Sequence, residues 1–381
     1  MAAHIWRFLV ALADWRTWLR IVSGRPVVDV VFITNMRDSV DQRRFLGGYM
    51  PPEGHFNGPR YVFGDVLART RALDVTAKDF ATVEGRERAR EYFLNAVRWA
   101  DERGVRVILL AAGTKRLFGP QGEELKRLFP RILFTIGDNG TTWLLQAESL
   151  RALQSAGFVP GASRVCVIGP TGLLGESMVA HLVTHGYDVV GLCSSKSGVR
   201  KCKVPACTSF EEVGKVDAVI ACTHADTVCL TPERVNVLRK EGCKLLVVDV
   251  AEPSNLKRKE YLACRGTVIR QDAGNAYSPR LQYVLGAASY KLFRLTQGVT
   301  FGCFAEAMTI GAEILAGNSL LRAWDWFTVS TENIRVIEGL FVKHGFGVPS
   351  PRCFGRSVDS FELDISQPPV VAQAMISPVR N

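Results

Sequence analysis

The sequence predicts an α/β protein of two domains followed by C-terminal helices, and three observations predict it. Strands and helices alternate over residues 28–156, a glycine-rich turn at 169–175 opens a second alternating run, and helical periodicity dominates from residue 300. A length of 381 residues allows about two domains at ~150 residues each. With 47% hydrophobic and 22% charged residues, the chain has a globular balance that excludes a disordered or fibrous class.

The elements follow in order. Residues 2–22 carry Ile5, Trp6, Phe8, Leu9, Leu12, Trp15, Trp18, Leu19 and Val22 at three- and four-residue steps, with Arg7, Arg16 and Arg20 among them. That is the pattern of an amphipathic helix. Asp14 interrupts the apolar stretch, which argues against a secretory segment. Such a helix can lie in a membrane interface, Trp inward and Arg toward anionic head groups, or pack on the body of the protein or a second subunit. After the turn signal Ser23-Gly24-Arg25-Pro26, residues 27–33 read as a buried strand and 38–46 as the start of a helix. A helix over 84–103, a strand over 105–110, a strand over 132–136, the loop 137–140 and a helix over 141–156 complete the first run. Gly157 to Ala162 form a linker. The second run has strands at 164–168, 188–193, 218–222 and 244–248, then an apolar-periodic region over 300–321 and a helix over 331–343. The expected organisation is therefore an N-terminal helix (1–26), an α/β substrate domain (27–156), a dinucleotide-binding domain (157–285), C-terminal helices (286–346) and an irregular tail (347–381).

The strongest local motif is Gly169-Pro170-Thr171-Gly172-Leu173-Leu174-Gly175, between an apolar strand and a helix over 176–184. Three glycines in that context form a Rossmann dinucleotide-binding turn, in which the pyrophosphate sits on the free N–H groups of the helix start. About twenty residues on, where an NAD site places a carboxylate, the chain has Cys193-Ser194-Ser195-Lys196 and then Arg200. Hydroxyls and cations there suit a 2′-phosphate, so NADPH is the expected cofactor. The expected cofactor set is Gly169, Thr171, Gly172, Leu173, Leu174, Gly175, Ser194, Ser195, Lys196 and Arg200, joined by Cys222, Thr223 and His224 after the 218–222 strand. No tyrosine has Lys four residues later, which removes the Tyr-x-x-x-Lys reductase mechanism.

The six histidines are scattered without metal-ligand spacing, and no metal is expected. Ten cysteines at irregular spacing, with no CxxC pair, point to reduced thiols in a cytosolic protein. Cys303 stands apart. It lies in Phe301-Gly302-Cys303-Phe304-Ala305-Glu306-Ala307-Met308, at the expected start of a helix, where free N–H groups and the helix dipole would lower its thiol pKa. A buried core cysteine is the competing reading.

That octapeptide closely resembles the F-A-C-F-A-E-A-M stretch of the cyanobacterial-type long-chain acyl-ACP reductases, which form aldehydes. Gly169 to Gly175 is similar to their G-A-T-G-D-I-G, Val342-Lys343-His344-Gly345-Phe346 to their R-H-G-F ending, and Ile136 to Thr142 more loosely to T-G-N-T-H-T-A. Leu173-Leu174 and Asp138-Asn139-Gly140 depart from the family pattern, and the N-terminal segment and the tail have no counterpart in it. The resemblance implies that Cys303 is the acyl-accepting nucleophile, with Glu306 an acid/base or positioning group and Gly137, Asn139 and Thr141 near the substrate. It implies NADPH-dependent reduction of an acyl-ACP or acyl-CoA thioester to a fatty aldehyde. The net charge of 47 − 37 = +10 suits an acidic carrier protein. Lys and Arg are spread along the chain without an aromatic-interleaved patch, so no nucleic-acid partner is expected. The expected location is cytoplasmic with peripheral membrane contact. Two alternatives stand beside this reading: a shikimate- or amino-acid-type NADP dehydrogenase without covalent catalysis, and a non-catalytic NADPH-binding partner protein.

Overall fold

The computed structural model describes residues 9, 12–283 and 297–358, without the Arg44 side chain. Ile5, Trp6, Arg7 and Phe8 of the N-terminal pattern, residues 286–296 of the expected C-terminal helices and residues 359–381 of the tail lie outside the described residues. The chain divides into two compact units, Met1–Thr141 with Ala276–Gly347, and Thr142–Asn275 with Val348–Asn381.

Unit 1 is built on a mixed sheet. Strands β1 (Val30–Met36), β2 (His55–Phe63), β3 (Val66–Thr76), β4 (Val107–Leu110) and β5 (Leu133–Thr135) are ordered β2-β3-β1-β4-β5, with the short strand Leu281–Tyr283 outside β2. The β3-β1-β4-β5 set is parallel, and β2 and Leu281–Tyr283 pair antiparallel. Both faces are covered, as the continuous burial of β4 requires. Alternate side chains divide between two layers. Val31, Ile33, Ile108 and Leu110 pack on Ala89, Phe93, Ala96, Val97 and Ala100, which form one stripe of the Val83–Asp101 helix. Thr82 starts that helix by accepting the Gly85 N–H at 3.0 Å. On the opposite face, Phe32 stacks on Phe304 of the Gly302–Leu315 helix, with ring centroids 4.1 Å apart. The same helix approaches the sheet through Gly311, where a β-carbon would lie 2.4 Å from Val30 Cγ2.

Unit 2 is a six-stranded sheet of β6 (Arg164–Ile168), β7 (Asp188–Leu192), β8 (Ala206–Cys207), β9 (Ala218–Ala221), β10 (Leu245–Asp249) and β11 (Val268–Asp272). The order is β8-β7-β6-β9-β10-β11 and every pairing is parallel. This is the Rossmann doubly wound order, whose switch point falls between β6 and β9. Val165, Val167, Ala218, Ile220, Leu246 and Val248 face one helical layer, while Cys166, Ile168, Val219, Leu245 and Val247 face the other.

Several expectations shift. The 27–33 strand is Val30–Met36, and Asp29 just before it accepts the Leu67 N–H at 2.8 Å and Arg20 at 2.7 Å with its carboxylate. The 300–321 helix ends at Leu315. The β2–β3 hairpin has no forecast above, because Arg69 and Arg71 interrupt the apolar pattern of β3. Both are nonetheless buried, with guanidinium centres 5.8 and 4.0 Å from the Trp99 ring and Asn57 Oδ1 shared between them. The tail contains a paired turn, Arg352–Cys353 with Arg356–Ser357, held by the Phe354 and Gly355 N–H groups on Asp272 at 3.1 and 2.7 Å.

Gly311→Ala should lower stability by about 1–3 kcal/mol through overpacking. Val30→Ala in the same chain should recover part of that loss, as read by thermal unfolding of the two single variants and the double variant.

Candidate active site

The sequence-predicted nucleophile sits in unit 1. Phe301 precedes the Gly302–Leu315 helix as its N-cap and offers no side-chain acceptor, so the first N–H groups of the helix are left for other partners. Cys303 lies in that first turn and is partly buried. Directly against it runs the loop that follows β5. Gly137 has φ +71°, and a β-carbon there would lie 2.3 Å from Cys303 Cβ and 2.7 Å from its Cα. Gly140 is as constrained, since its β-carbon would lie 2.9 Å from Gly302 O and 3.0 Å from Glu306 Cβ. Only glycine meets both demands.

Glu306, one turn on from Cys303, is fully buried. Its carboxylate accepts the Thr135 hydroxyl at 2.5 Å and the Gly140 N–H at 2.6 Å. Burial outweighs these donors and pushes the carboxyl up to about 7. A second pair completes the cluster. Lys115 lies on the turn Ala112–Arg116 after β4, and its ammonium binds the Asp138 carboxylate. Burial acts to lower the Lys115 pKa, but Asp138, Cys303 and Glu306 together hold it above the ordinary lysine value. Burial pushes the Cys303 thiol up to about 11, against the Lys115 ammonium and the Phe304 N–H. The expected lowering of this thiol is therefore corrected: desolvation exceeds the help from the helix start, and the resting thiol is protonated near neutral pH.

The three residues expected near the substrate have distinct surroundings. Gly137 abuts Cys303. Asn139 is fully buried, donating to Thr328 O at 3.2 Å and accepting the Ser330 N–H at 3.4 Å, so its amide holds a neighbouring loop. Thr141 donates its hydroxyl to Gly137 O at 3.0 Å and closes the turn. The sequence reading missed Lys115, Asp138 and Thr135. A usable signal was their position, since each follows the C-terminal end of a parallel strand or lies at that end, where such sheets bind ligands.

Unit 2 carries the glycine turn. Gly169 has φ +80° and a β-carbon there would lie 2.8 Å from Thr223 Cγ2. A β-carbon at Gly175 would lie 2.0 Å from Gly169 O, whereas at Gly172 the nearest atom would be 3.7 Å away. The first glycine thus makes the turn, the third lets the helix pack on it, and the second keeps the approach open. Gly172 is also the N-cap of the Leu173–Thr184 helix and supplies no side-chain acceptor. Thr171 and Leu173 are exposed at this tip, while Leu174 turns into the core. After β7, Ser194, Ser195, Lys196 and Arg200 are exposed, and Ser195 accepts the Gly198 N–H at 3.3 Å. After β9, Cys222 packs on the core with its thiol pushed up to about 12 by burial. Thr223 supports the turn through Gly169, and His224 is exposed. An open glycine cradle at a helix start, with hydroxyls and cations beside the neighbouring strand end, fits a phosphorylated dinucleotide. No cluster of three metal-ligating side chains occurs among the described residues.

No protein-family model matches the chain, and no curated protein matches it. Among solved structures it is similar to an NADPH-dependent glyoxylate/hydroxypyruvate reductase from Sinorhizobium meliloti, at 17% identity and TM-score 0.27 over 35% of this chain and 60% of that one. It is also similar to an NAD-dependent malic enzyme from Thermotoga maritima, at 15% identity and TM-score 0.37 over 69% and 70% of the two chains. A D-lactate dehydrogenase from Treponema pallidum follows at 11% identity and TM-score 0.32 over 64% and 78%. The chain thus spans about three fifths of the length of the first of these structures. At such scores the functional reading rests on this chain's own side chains.

The Cys303 alkylation rate should rise with pH through the thiol value near 11. Lys115→Met removes the stabilising cation and should move that profile to higher pH, whereas Glu306→Gln removes a repelling carboxylate and should move it lower. Peptide-mapped alkylation against pH checks both directions.

Proposed function

We propose that the protein is an NADPH-dependent oxidoreductase that reduces a fatty acyl thioester, on acyl carrier protein or CoA, to an aldehyde. The observation that supports this reading is the Cys303 cluster: a thiol in a helix first turn, a glycine loop against it, and the Lys115–Asp138 and Glu306 groups around it. Gly169, Gly172 and Gly175 would hold the dinucleotide phosphates, and Ser194, Ser195, Lys196 and Arg200 the 2′-phosphate. Cys303 Sγ attacks the thioester carbonyl carbon as the bond to the carrier sulfur breaks. The thiol proton passes to the departing carrier thiolate, leaving the acyl group on Cys303. Lys115 stabilises negative charge as it develops at the sulfur, and Asp138 holds the ammonium in place. Glu306 positions the loop through Gly140 and Thr135 and, near 7, can hold or release a proton. When bound, NADPH would supply the hydride for the acyl carbon, and the bond from that carbon to Cys303 Sγ would break as the aldehyde forms, the sulfur taking back a proton.

A second reading has its own observation. The Cys303 thiol is protonated at rest, and Lys115 paired with Asp138 can exchange a proton with a substrate oxygen directly. That chemistry suits an NADP-dependent dehydrogenase of the shikimate or amino-acid type, which interconverts a hydroxyl or amine and its oxo form with no covalent step. The experiment is turnover of purified protein with long-chain acyl-ACP and with hydroxy, amino and oxo acids. Under the main reading, Cys303→Ala lowers aldehyde formation by roughly a thousandfold or more. Hydroxy- or amino-acid turnover that survives Cys303→Ala and is lost in Lys115→Met supports the second. NADPH binding without turnover of either class contradicts both.

A further inference from the structure

The helix Trp15–Val22 is attached to unit 1 by its polar side. Asp14 is buried, caps the helix by accepting the Thr17 N–H at 3.3 Å, accepts the Thr17 hydroxyl at 2.6 Å, and pairs with Arg60. Arg20 reaches Asp29 at 2.7 Å and Pro26 O at 2.9 Å, and Arg16 reaches Gln282 at 3.3 Å. With that side facing the protein, the apolar side faces outward, which inverts the usual arrangement of a surface helix. Trp15, Leu19 and Val22 are 59%, 60% and 86% exposed and form one stripe of this helix, with Trp18 half exposed beside them and Leu12, before the Asp14 cap, also exposed. Seven of the twenty large apolar side chains exposed among the described residues fall between Leu9 and Val22. The concentration is local, and exposed patches of this kind mark interaction surfaces.

Charge and size identify the occupant. Between Leu12 and Pro26 the charged residues are Arg16, Arg20, Arg25 and Asp14, and the one carboxylate is buried against Arg60. The water-facing charge around the stripe is therefore positive, and the chain as a whole carries +10. An eight-residue helix is about 12 Å long, too short to supply alone the ~800 Å² per partner of a stable protein interface. A bilayer surface needs no such area, and tryptophan with flanking arginine suits its interface. We propose that this helix is a membrane-interface platform, which inserts the Trp15, Leu19 and Val22 stripe into an anionic lipid surface with the exposed Arg25 at the head groups. The proposal does not depend on the reaction above. No helix among the described residues is long and apolar enough to cross a membrane.

The test is co-sedimentation of the full chain with phosphatidylcholine vesicles and with vesicles containing one quarter phosphatidylglycerol. The same assay is run on Trp15→Ser/Leu19→Ser/Val22→Ser, whose circular dichroism and melting temperature should match the parent because the three side chains are exposed. Expected are binding to the anionic vesicles, weakening with salt, and a loss of about tenfold or more in the variant. Absence of binding, equal binding of the variant, or equal binding to the neutral vesicles overturns the proposal. A concentration-dependent dimer that the variant dissolves, without vesicle binding, assigns the stripe to a second copy and also overturns it.

Discussion

The close approach of the β5 loop to the first turn of the Gly302–Leu315 helix is the constraint on which the candidate site depends. Backbone meets backbone there, with room for no side chain at Gly137 or Gly140. The approach puts the Gly140 N–H on Glu306 and brings Asp138 to Lys115, so three chain segments far apart in sequence form one cluster around Cys303. Phe32 on Phe304 and Val30 on Gly311 hold the same helix to the sheet. Full burial of side chains such as Phe32 and Val30 contributes about 1.5–3 kcal/mol each.

Burial is also what sets the chemistry. Desolvation raises Cys303 and Glu306 together, while Lys115 is kept charged by the carboxylate beside it. The thiol and the carboxyl stay well apart in pKa, so near neutral pH the thiol keeps its proton while the carboxyl can hold or release one. Such a thiol is protected from adventitious oxidation and becomes nucleophilic as its proton leaves.

Much of the fold was legible in the sequence because short apolar runs such as Val165 to Ile168 and Val107 to Leu110, bounded by turn signals and alternating with helical patterns, read as buried parallel strands. The glycine turn was legible from its spacing between a strand and a helix: Gly169 and Gly175 leave no room for a β-carbon, and Gly172 keeps the helix start open. The β2–β3 hairpin was not legible, since the burial of Arg69 and Arg71 depends on Trp99, about thirty residues away in the chain. Cys303, Glu306 and Gly137 came from the sequence. Lys115 and Asp138 did not, because a lysine and an aspartate 23 residues apart carry no local pattern, and only the parallel sheet brings their loops together. The thiol's direction was misread because helix position is visible in a sequence and desolvation is not.

The central claim, that Cys303 takes up an acyl group, is tested most directly by intact-protein mass spectrometry after mixing the protein with long-chain acyl-ACP or acyl-CoA in the absence of NADPH. The expected result is one acyl adduct, absent in Cys303→Ala and discharged when NADPH is added. No adduct at any acyl length, from a protein that still binds NADPH, would contradict it.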